Sequence, residues 1–330
     1  MKLSELGEFG FIERIRRAVP GGAGIVAGIG DDCAVTTLPA GEVLLTTTDL
    51  LIEGVHFRRD WTDLFLLGRK SVSVNVSDIA AMGGTPRHIT LGLGIPLDLS
   101  VEELERFVAG FLDAAGEYRT VLVGGDTCRS PGPLFISVTV EGSASPAQVV
   151  RRSGARPDDD VYVSGTLGDS ALALRLLSAG DVPPPELARR HHDPQARTAL
   201  GRELAAAGLV TAMIDVSDGL CADLGHILEA SGVGARVEVG VLPLSDSFRS
   251  AVAEVPELME LALAGGEDYE LLFTVPSGRA AEVTLAASRA GVAVTRIGAL
   301  DAALQGLWLH QKDGRLARPA LSGFNHFARR

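Results

Sequence analysis

The segment SVSVNVSDIAAMGG, residues 71–84, decides how the first half of the chain folds, because two periods compete within it. Its opening residues alternate polar and apolar, the mark of a strand with one buried face. Leu66, Leu67, Val72, Val76, Ile79 and Met82 instead keep the three-to-four spacing of a helix, with Thr62 as N-cap and Gly83-Gly84 as the stop. The helical pattern outruns the alternation, so the segment is read as a helix. Asp78 then sits near the end of an apolar helix, and its carboxylate needs a purpose. A second segment, MIDVSDGLCADLG at 213–225, repeats the Val-Ser-Asp triplet and adds Asp215 just upstream.

Outward from residue 71, a helix is expected from about Ser4 to Arg17, and VLLTTTDLLI (43–52) is a β-rich run carrying Asp49. Downstream, HITLGLGIPL (88–97) reads as a strand and SVEELERFVAGFLDAAGEY (100–118) as an amphipathic helix opened by a Ser-x-x-Glu capping box. TVLVGGD (120–126) and the alternating LFISVTVEGSA (134–144) complete a mixed α/β unit. Small residues, prolines and charges cluster at 143–160, so the domains are placed at 1–148 and 149–330. The second half restarts with strands at 160–165, 209–217, 235–241, 269–275 and 291–300, and helices at 170–179, up to 207, at 220–230 and at 278–290. The predicted fold class is α/β (α+β) in two domains.

Composition limits the function. With 330 residues, 46% hydrophobic and 22% charged, the chain is ordinary for a folded protein and long enough for two cores. A net charge of −12 argues against a nucleic-acid surface and is puzzling for a phosphate-binding protein unless cations mediate. The N-terminus lacks a signal-type apolar core and no run reaches membrane-spanning length, so a cytoplasmic protein without membrane contact is expected. Cys33, Cys128 and Cys221 are isolated and fit neither a disulfide framework nor a zinc site.

Several acidic motifs share one design, a carboxylate beside Gly, Ser or Thr at the end of an apolar run. They are GIGDDCAV (Asp31, Asp32), TTTDL (Thr47, Thr48, Asp49), NVSDIAAMGG (Asp78), VGGDT (Gly125, Asp126), IDVSDGL (Asp215, Ser217, Asp218) and GGEDYE (Glu267, Asp268, Glu270). Taken singly, each is better explained as a turn or cap, and Asp218 or Asp63 can cap the helix that follows it. Taken together in both halves, carboxylates without basic partners point to a shared hard cation, and oxygen-only donors suit Mg²⁺. No P-loop, kinase Gly loop or dinucleotide fingerprint is present, and the lysines are Lys2, Lys70 and Lys312 alone. A nucleotide would therefore be held by metal, backbone N–H groups and arginine, with Arg152 a candidate; a surface arginine is the equal alternative. For His56 a core or solvent role outweighs a ligand role on sequence alone.

GEFGFI, GIGDDCAV, TTDLLIEGVHF, VNVSDIAAMGG, VGGDT, RSGA, SGTLGDSA, IDVSDGL, GGEDYELLFTV and the terminal GFNHF, in this order, resemble the thiamine-monophosphate kinase family. That family belongs to the aminoimidazole-ribonucleotide synthetase-like superfamily. The resemblance implies an N-terminal α/β domain whose sheet pairs across a homodimer and a C-terminal α/β domain that closes the active site. It implies direct in-line transfer of a phosphoryl group from ATP to thiamine monophosphate, assisted by several Mg²⁺ ions. By motif position, Asp32, Thr47, Thr48, Asp49, Asp78, Asp126, Asp215 and Asp218 would bind Mg²⁺. Gly125, Asp126, Arg152 and Ser217 would contact ATP, and His56, Glu267, Asp268 and Phe324 the thiamine phosphate. Phe324 stands where the family often has Tyr or Trp, so it can stack but offers no hydroxyl. No Cys precedes Cys33 and the chain ends FARR, which sets aside the selenophosphate synthetases and the hydrogenase maturation proteins. A catalytically silent Mg-nucleotide binder is the alternative from another class. The two Val-Ser-Asp copies, one per domain, are expected to face each other across a metal-filled cleft.

Overall fold

Residues Leu64–Ala81 form one continuous helix, buried on every side from Lys70 to Ser77. The serine–valine alternation is tolerated because the small polar groups find partners inside the helix layer. Ser71 Oγ donates to the Leu67 carbonyl (2.7 Å), Asn75 Nδ2 to the Ser71 carbonyl (2.9 Å), and Ser73 Oγ lies 3.1 Å from the Tyr118 hydroxyl. The cap is Asp63 and not Thr62: its Oδ1 accepts from the N–H of Phe65 (2.8 Å) and Leu66 (3.4 Å). Asp63 directly precedes the first helical residue, which gives its oxygen reach to those donors. Gly83, at φ 70°, ends the helix, and the Gly84 N–H returns to the Ile79 carbonyl at 2.9 Å.

The structure, a computed structural model, describes residues 3–30, 32–311 and 313–320. The chain divides into one unit of Met1–Ile79 with Gly84–Ala147 and a second of Ala80–Gly83 with Gln148–Arg330. The first unit runs α1 (Leu3–Leu6), α2 (Glu8–Ala18), β1 (Ile25–Ala27), β2 (Val35–Thr36), β3 (Val43–Ile52), α3 (Leu64–Ala81), β4 (Thr85–Ile95), α4 (Val101–Glu117), β5 (Val121–Arg129) and β6 (Phe135–Ala144). The single opening helix expected from the sequence is split by Gly7, at φ 75°. β1 and β2 form a small ribbon, and the main sheet has the order β3-β6-β4-β5 with only β4 and β5 parallel.

α4 carries the predicted capping box, with Ser100 Oγ accepting from the Glu103 N–H while Glu103 reaches back to the Ser100 N–H. Its backbone lies against that of α3: a methyl group on Gly110 would meet the Phe65 carbonyl, and one on Gly68 the Phe107 carbonyl. Gly110→Ala should therefore destabilise the protein by about 1–3 kcal/mol through overpacking, against the gain of about 1 kcal/mol that Ala brings to a helix. Urea unfolding checks this, and a net stabilisation would contradict the close approach.

The second unit runs β7 (Asp160–Ser164), α5 (Asp169–Ala179), α6 (Pro185–His192), α7 (Thr198–Ala206), β8 (Ala212–Asp215), α8 (Leu220–Ser231), β9 (Gly234–Glu238), α9 (Asp246–Glu254), α10 (Met259–Ala264), β10 (Leu271–Val275), α11 (Ala280–Ala290), β11 (Val294–Asp301), β12 (Leu307–His310) and β13 (Leu316–Ala317). Its sheet has the order β13-β12-β9-β11-β7-β10-β8, antiparallel except for β12 against β9. β7, β8 and β10 are buried along their whole length, as their near-continuous apolar runs require. The register pairs Leu271 with Asp215 and Leu272 with Val163. The loops after β7, after β8 and before β10 therefore meet at one end of this sheet. Among the described residues, no helix is long and apolar enough to cross a membrane.

Candidate active site

In the first unit, strand alternation selects which β3 side chains meet α3. Thr47 and Asp49 face the helix and are partly buried, whereas Thr48 is exposed on the other side. Thr47 Oγ1 donates to Asp78 Oδ2, and the Asp49 N–H donates to Asn75 Oδ1 at 2.9 Å. Asn75 and Asp78 are one turn apart on α3, so one helix face presents both to the strand. Burial, and then the nearby Asp78 charge, pushes the Asp49 carboxyl up to about 6. Two carboxylates set beside each other, with Thr47 and Asn75 at their side, form a site that suits a cation.

The other expected residues of this unit are dispersed. The register places Asp49 in one row with Val138, Leu91 and Gly125, and Asp126 in the next row with Gly92, Ser137 and Leu50. Asp126 therefore belongs to the exposed sheet face that also carries Thr48, not to the face of Asp49. Gly125 has its own packing requirement, since a Cβ there would strike the Leu91 carbonyl. Asp32 is exposed between β1 and β2. His56 Nδ1 accepts from the Ile52 N–H at 3.0 Å, which puts the proton of the neutral ring on Nε2.

In the second unit, the Val-Ser-Asp-Gly loop after β8 and the loop before β10 are laced together. The Glu267 N–H donates to the Ser217 carbonyl, the Tyr269 N–H to the Val216 carbonyl, and the Val216 N–H to the Glu270 carbonyl, each at 2.8 Å. Glu267 (φ 67°) and Tyr269 (φ 51°) hold left-handed backbone, a strain that side-chain-bearing residues rarely accept outside functional loops. Asp215 is buried at the end of β8, while Ser217 and Asp218 are half-buried. Asp218 does not cap α8. Instead Asp223, one turn into the helix, accepts from the N–H groups of Ser217, Asp218 and Gly219 at 3.1, 3.1 and 3.0 Å. Burial, and then the Asp218 charge, pushes its carboxyl up to about 7 despite those three donors.

The three acids of GGEDYE separate by environment. Glu270 is fully buried and accepts from Arg190 (2.5 Å), Arg197 (2.5 and 2.7 Å) and Ser164 (2.5 Å). Burial alone would raise its carboxyl, but Arg197 and then Arg190 hold it below the usual range. Asp268, 2% exposed, accepts from the Gly168 N–H at 2.9 and 3.1 Å, and burial pushes its carboxyl well above the ordinary value. Only Glu267 is partly exposed, its carboxylate 3.4 Å from His191 Nδ1. Arg152 is exposed in the segment before β7. Phe324 and Asp31 lie outside the described residues.

Sequence reasoning missed Asn75, Asp223, Arg190 and Arg197. Asn75 had a usable signal, one turn before Asp78, and Asp223 had one as an acid in the first turn of a helix. The arginines meet Glu270 only through the tertiary fold. Among the described residues, no group of three or more His, Cys, Asp or Glu has the geometry to hold a metal ion by itself. The first unit's carboxylates come as the Asp49–Asp78 pair, which matches Mg²⁺ in taking one or two carboxylates beside water and phosphate oxygens.

Comparison with known proteins places this arrangement in a family. Residues 30–144 match the AIR synthase related protein N-terminal domain, and residues 156–305 the AIR synthase related protein C-terminal domain. The chain is 39% identical over 328 residues to the thiamine-monophosphate kinase of Escherichia coli (strain K12), covering 98% of both chains. The crystal structure of thiamine-monophosphate kinase from Stenotrophomonas maltophilia K279a superposes with a TM-score of 0.85 at 40% identity, covering 94% of this chain and 98% of that one. AaThiL complexed with AMPPCP and TMP superposes with a TM-score of 0.76 at 37% identity, covering 99% of each. With two α/β domains of the AIR synthase related type and this likeness over nearly its whole length, the chain belongs to the thiamine-monophosphate kinase family.

Proposed function

We propose that the chain transfers the γ-phosphoryl group of ATP directly to thiamine monophosphate, giving thiamine diphosphate. The observation that carries this reading is the Asp49–Asp78 pair, bracketed by Thr47 and Asn75, in a chain 39% identical to a thiamine-monophosphate kinase. Both substrates are anions at the reacting ends, so the protein's task is to neutralise and align them. Asp49 and Asp78 with Thr47 would hold one Mg²⁺, while Asp32, Thr48 and Asp126, and separately Asp215 and Asp218 of the second unit, are assigned to further Mg²⁺ ions. Bound Mg²⁺ would supply charge neutralisation on the transferred phosphoryl group. The acceptor oxygen is already ionised at neutral pH, so no side chain is required as general base.

Gly125, Arg152 and Ser217 are assigned to ATP, and the exposed guanidinium of Arg152 suits a phosphate. His56, whose Nδ1 accepts from the Ile52 N–H, and Glu267, the partly exposed acid of its loop, are assigned to thiamine monophosphate. Asp268 serves that assignment by holding Gly168, and Phe324 is assigned to the thiamine ring. The N-terminal unit would supply dimerisation and most of the metal ligands, the C-terminal unit the Arg152, Ser217 and Glu267 contacts. A homodimer is supported by the bare face of the four-stranded sheet, where the edge strand β3 exposes Leu44 (49%) and Leu50 (48%). Unpaired Cys33, Cys128 and Cys221 support a cytoplasmic setting.

Incubation of the purified protein with ATP, Mg²⁺ and thiamine monophosphate should yield thiamine diphosphate and ADP in equal amounts, and chelation of Mg²⁺ should stop it. Absence of both products would refute the proposal.

A further inference from the structure

The N-terminus of α8 carries an arrangement that the metal and substrate assignments do not use. Helix starts expose backbone N–H groups and a positive dipole end, which ordinarily attract a phosphate. Here the three N–H groups ahead of the helix, those of Ser217, Asp218 and Gly219, all point at the chain's own Asp223 carboxylate. Asp223 is 2% exposed on a helix whose Leu220, Leu224 and Ile227 are fully buried, so its carboxylate is turned to the loop and not outward to a ligand. The same loop is tied to the next by the bonds from Glu267 and Tyr269 N–H to the Ser217 and Val216 carbonyls. Gly219 and Gly266 sit where a Cβ would collide with the facing backbone, so the two loops lie in contact main chain to main chain.

We infer that Asp223 is a positioning residue: it occupies the helix end from within, fixes the 216–219 loop, and through it fixes Glu267. Two consequences follow, and both rest on the kinase reading above. The loop's backbone donors are already taken, so Ser217 and Asp218 can serve a nucleotide only through side-chain and carbonyl oxygens, which attract cations rather than phosphate. The loop that offers those oxygens and the loop that offers Glu267 move as one body. Weakening the Asp223 contact therefore disturbs the ATP and the thiamine monophosphate sides together.

The test compares Asp223→Asn and Asp223→Ala with Ile227→Ala, a fully buried residue one turn further along α8 that touches neither loop bond. Amide hydrogen exchange in the protein without ATP, metal or substrate should show faster exchange at Ser217, Asp218 and Gly219 in both Asp223 variants and not in Ile227→Ala. The KM values for Mg-ATP and for thiamine monophosphate should both rise, on the order of ten- to a hundredfold in Asp223→Ala and less in Asp223→Asn, which keeps one acceptor oxygen. Ile227→Ala should lower the melting temperature with KM values near wild type. Unchanged exchange at the three amides, or equal KM changes in Asp223→Ala and Ile227→Ala, would overturn the inference. The exchange measurement needs no turnover, so failure of the kinase reading would show as wild-type inactivity with the exchange contrast intact.

Discussion

Asp78→Asn is expected to lower kcat/KM by about two to three orders of magnitude, the usual loss when one preorganised electrostatic contact to the transferring group is removed. Stability should move the other way or not at all. Without metal, Asp49 and Asp78 repel, which contributes to the upward push on the Asp49 carboxyl to about 6. The Asn replacement removes that repulsion and keeps an oxygen to accept from Thr47. The metal-free melting temperature should therefore be equal to wild type or higher, a stability sacrificed to function. Mg²⁺ stabilises the wild type by binding the folded form, and this increment should shrink in the variant. Calorimetry with and without Mg²⁺, beside a steady-state assay, separates the cases. A fall of more than a few degrees without metal would make Asp78 a structural residue, and turnover within tenfold of wild type would remove it from the metal set.

Reading that residue from the sequence was feasible because its signals are local. The helix around Asp78 is announced by its three-to-four spacing and its glycine stop, and α4 by a capping box of adjacent residues. The acidic motifs were visible as well, because each carries its carboxylate beside the small residues that shape its turn. The signal fails where a competing local choice exists, as at Asp63 against Thr62, or where a glycine breaks a helix whose spacing continues across it, as at Gly7. Short helices α9 and α10, the edge strand β13 and its neighbour β12 gave no usable pattern, since each is brief and takes its packing from distant partners. Distance hides the polar interior too. Arg190 and Glu270 are 80 positions apart, and Arg197 and Glu270 are 73 apart. Nothing at either sequence position marks Glu270 as buried and Glu267 as accessible, although the two lie in one six-residue motif.

Glu270→Leu should accordingly be the most destabilising of these substitutions, costing about 3–5 kcal/mol, the range for removing one partner of a buried ion group. The change takes the shared carboxylate from two guanidinium groups whose side chains are only 17% and 16% exposed, and leaves Arg190 with the Thr166 carbonyl at 3.4 Å and Asp169 at 3.9 Å. It also leaves the Ser164 hydroxyl without its 2.5 Å acceptor. For a domain of this size each kcal/mol moves the melting temperature by about 2–4 °C, so a fall of roughly 6–20 °C is expected. The loss should be non-additive. Replacing Glu270, Arg190 and Arg197 together by apolar residues should recover part of the stability, because the uncompensated charges are gone. The pH dependence has a fixed sign. Arg197 and Arg190 hold the folded carboxyl below its unfolded value, so its stabilising contribution is complete above the ordinary carboxylate range and fades as pH falls through the depressed value. Wild type should therefore lose more stability than the triple variant on acidification below about pH 4. Chemical unfolding of the three proteins at neutral and acid pH provides the measurement. A loss below about 1 kcal/mol in Glu270→Leu would mean that water reaches the arginines and that the buried cluster contributes little to stability.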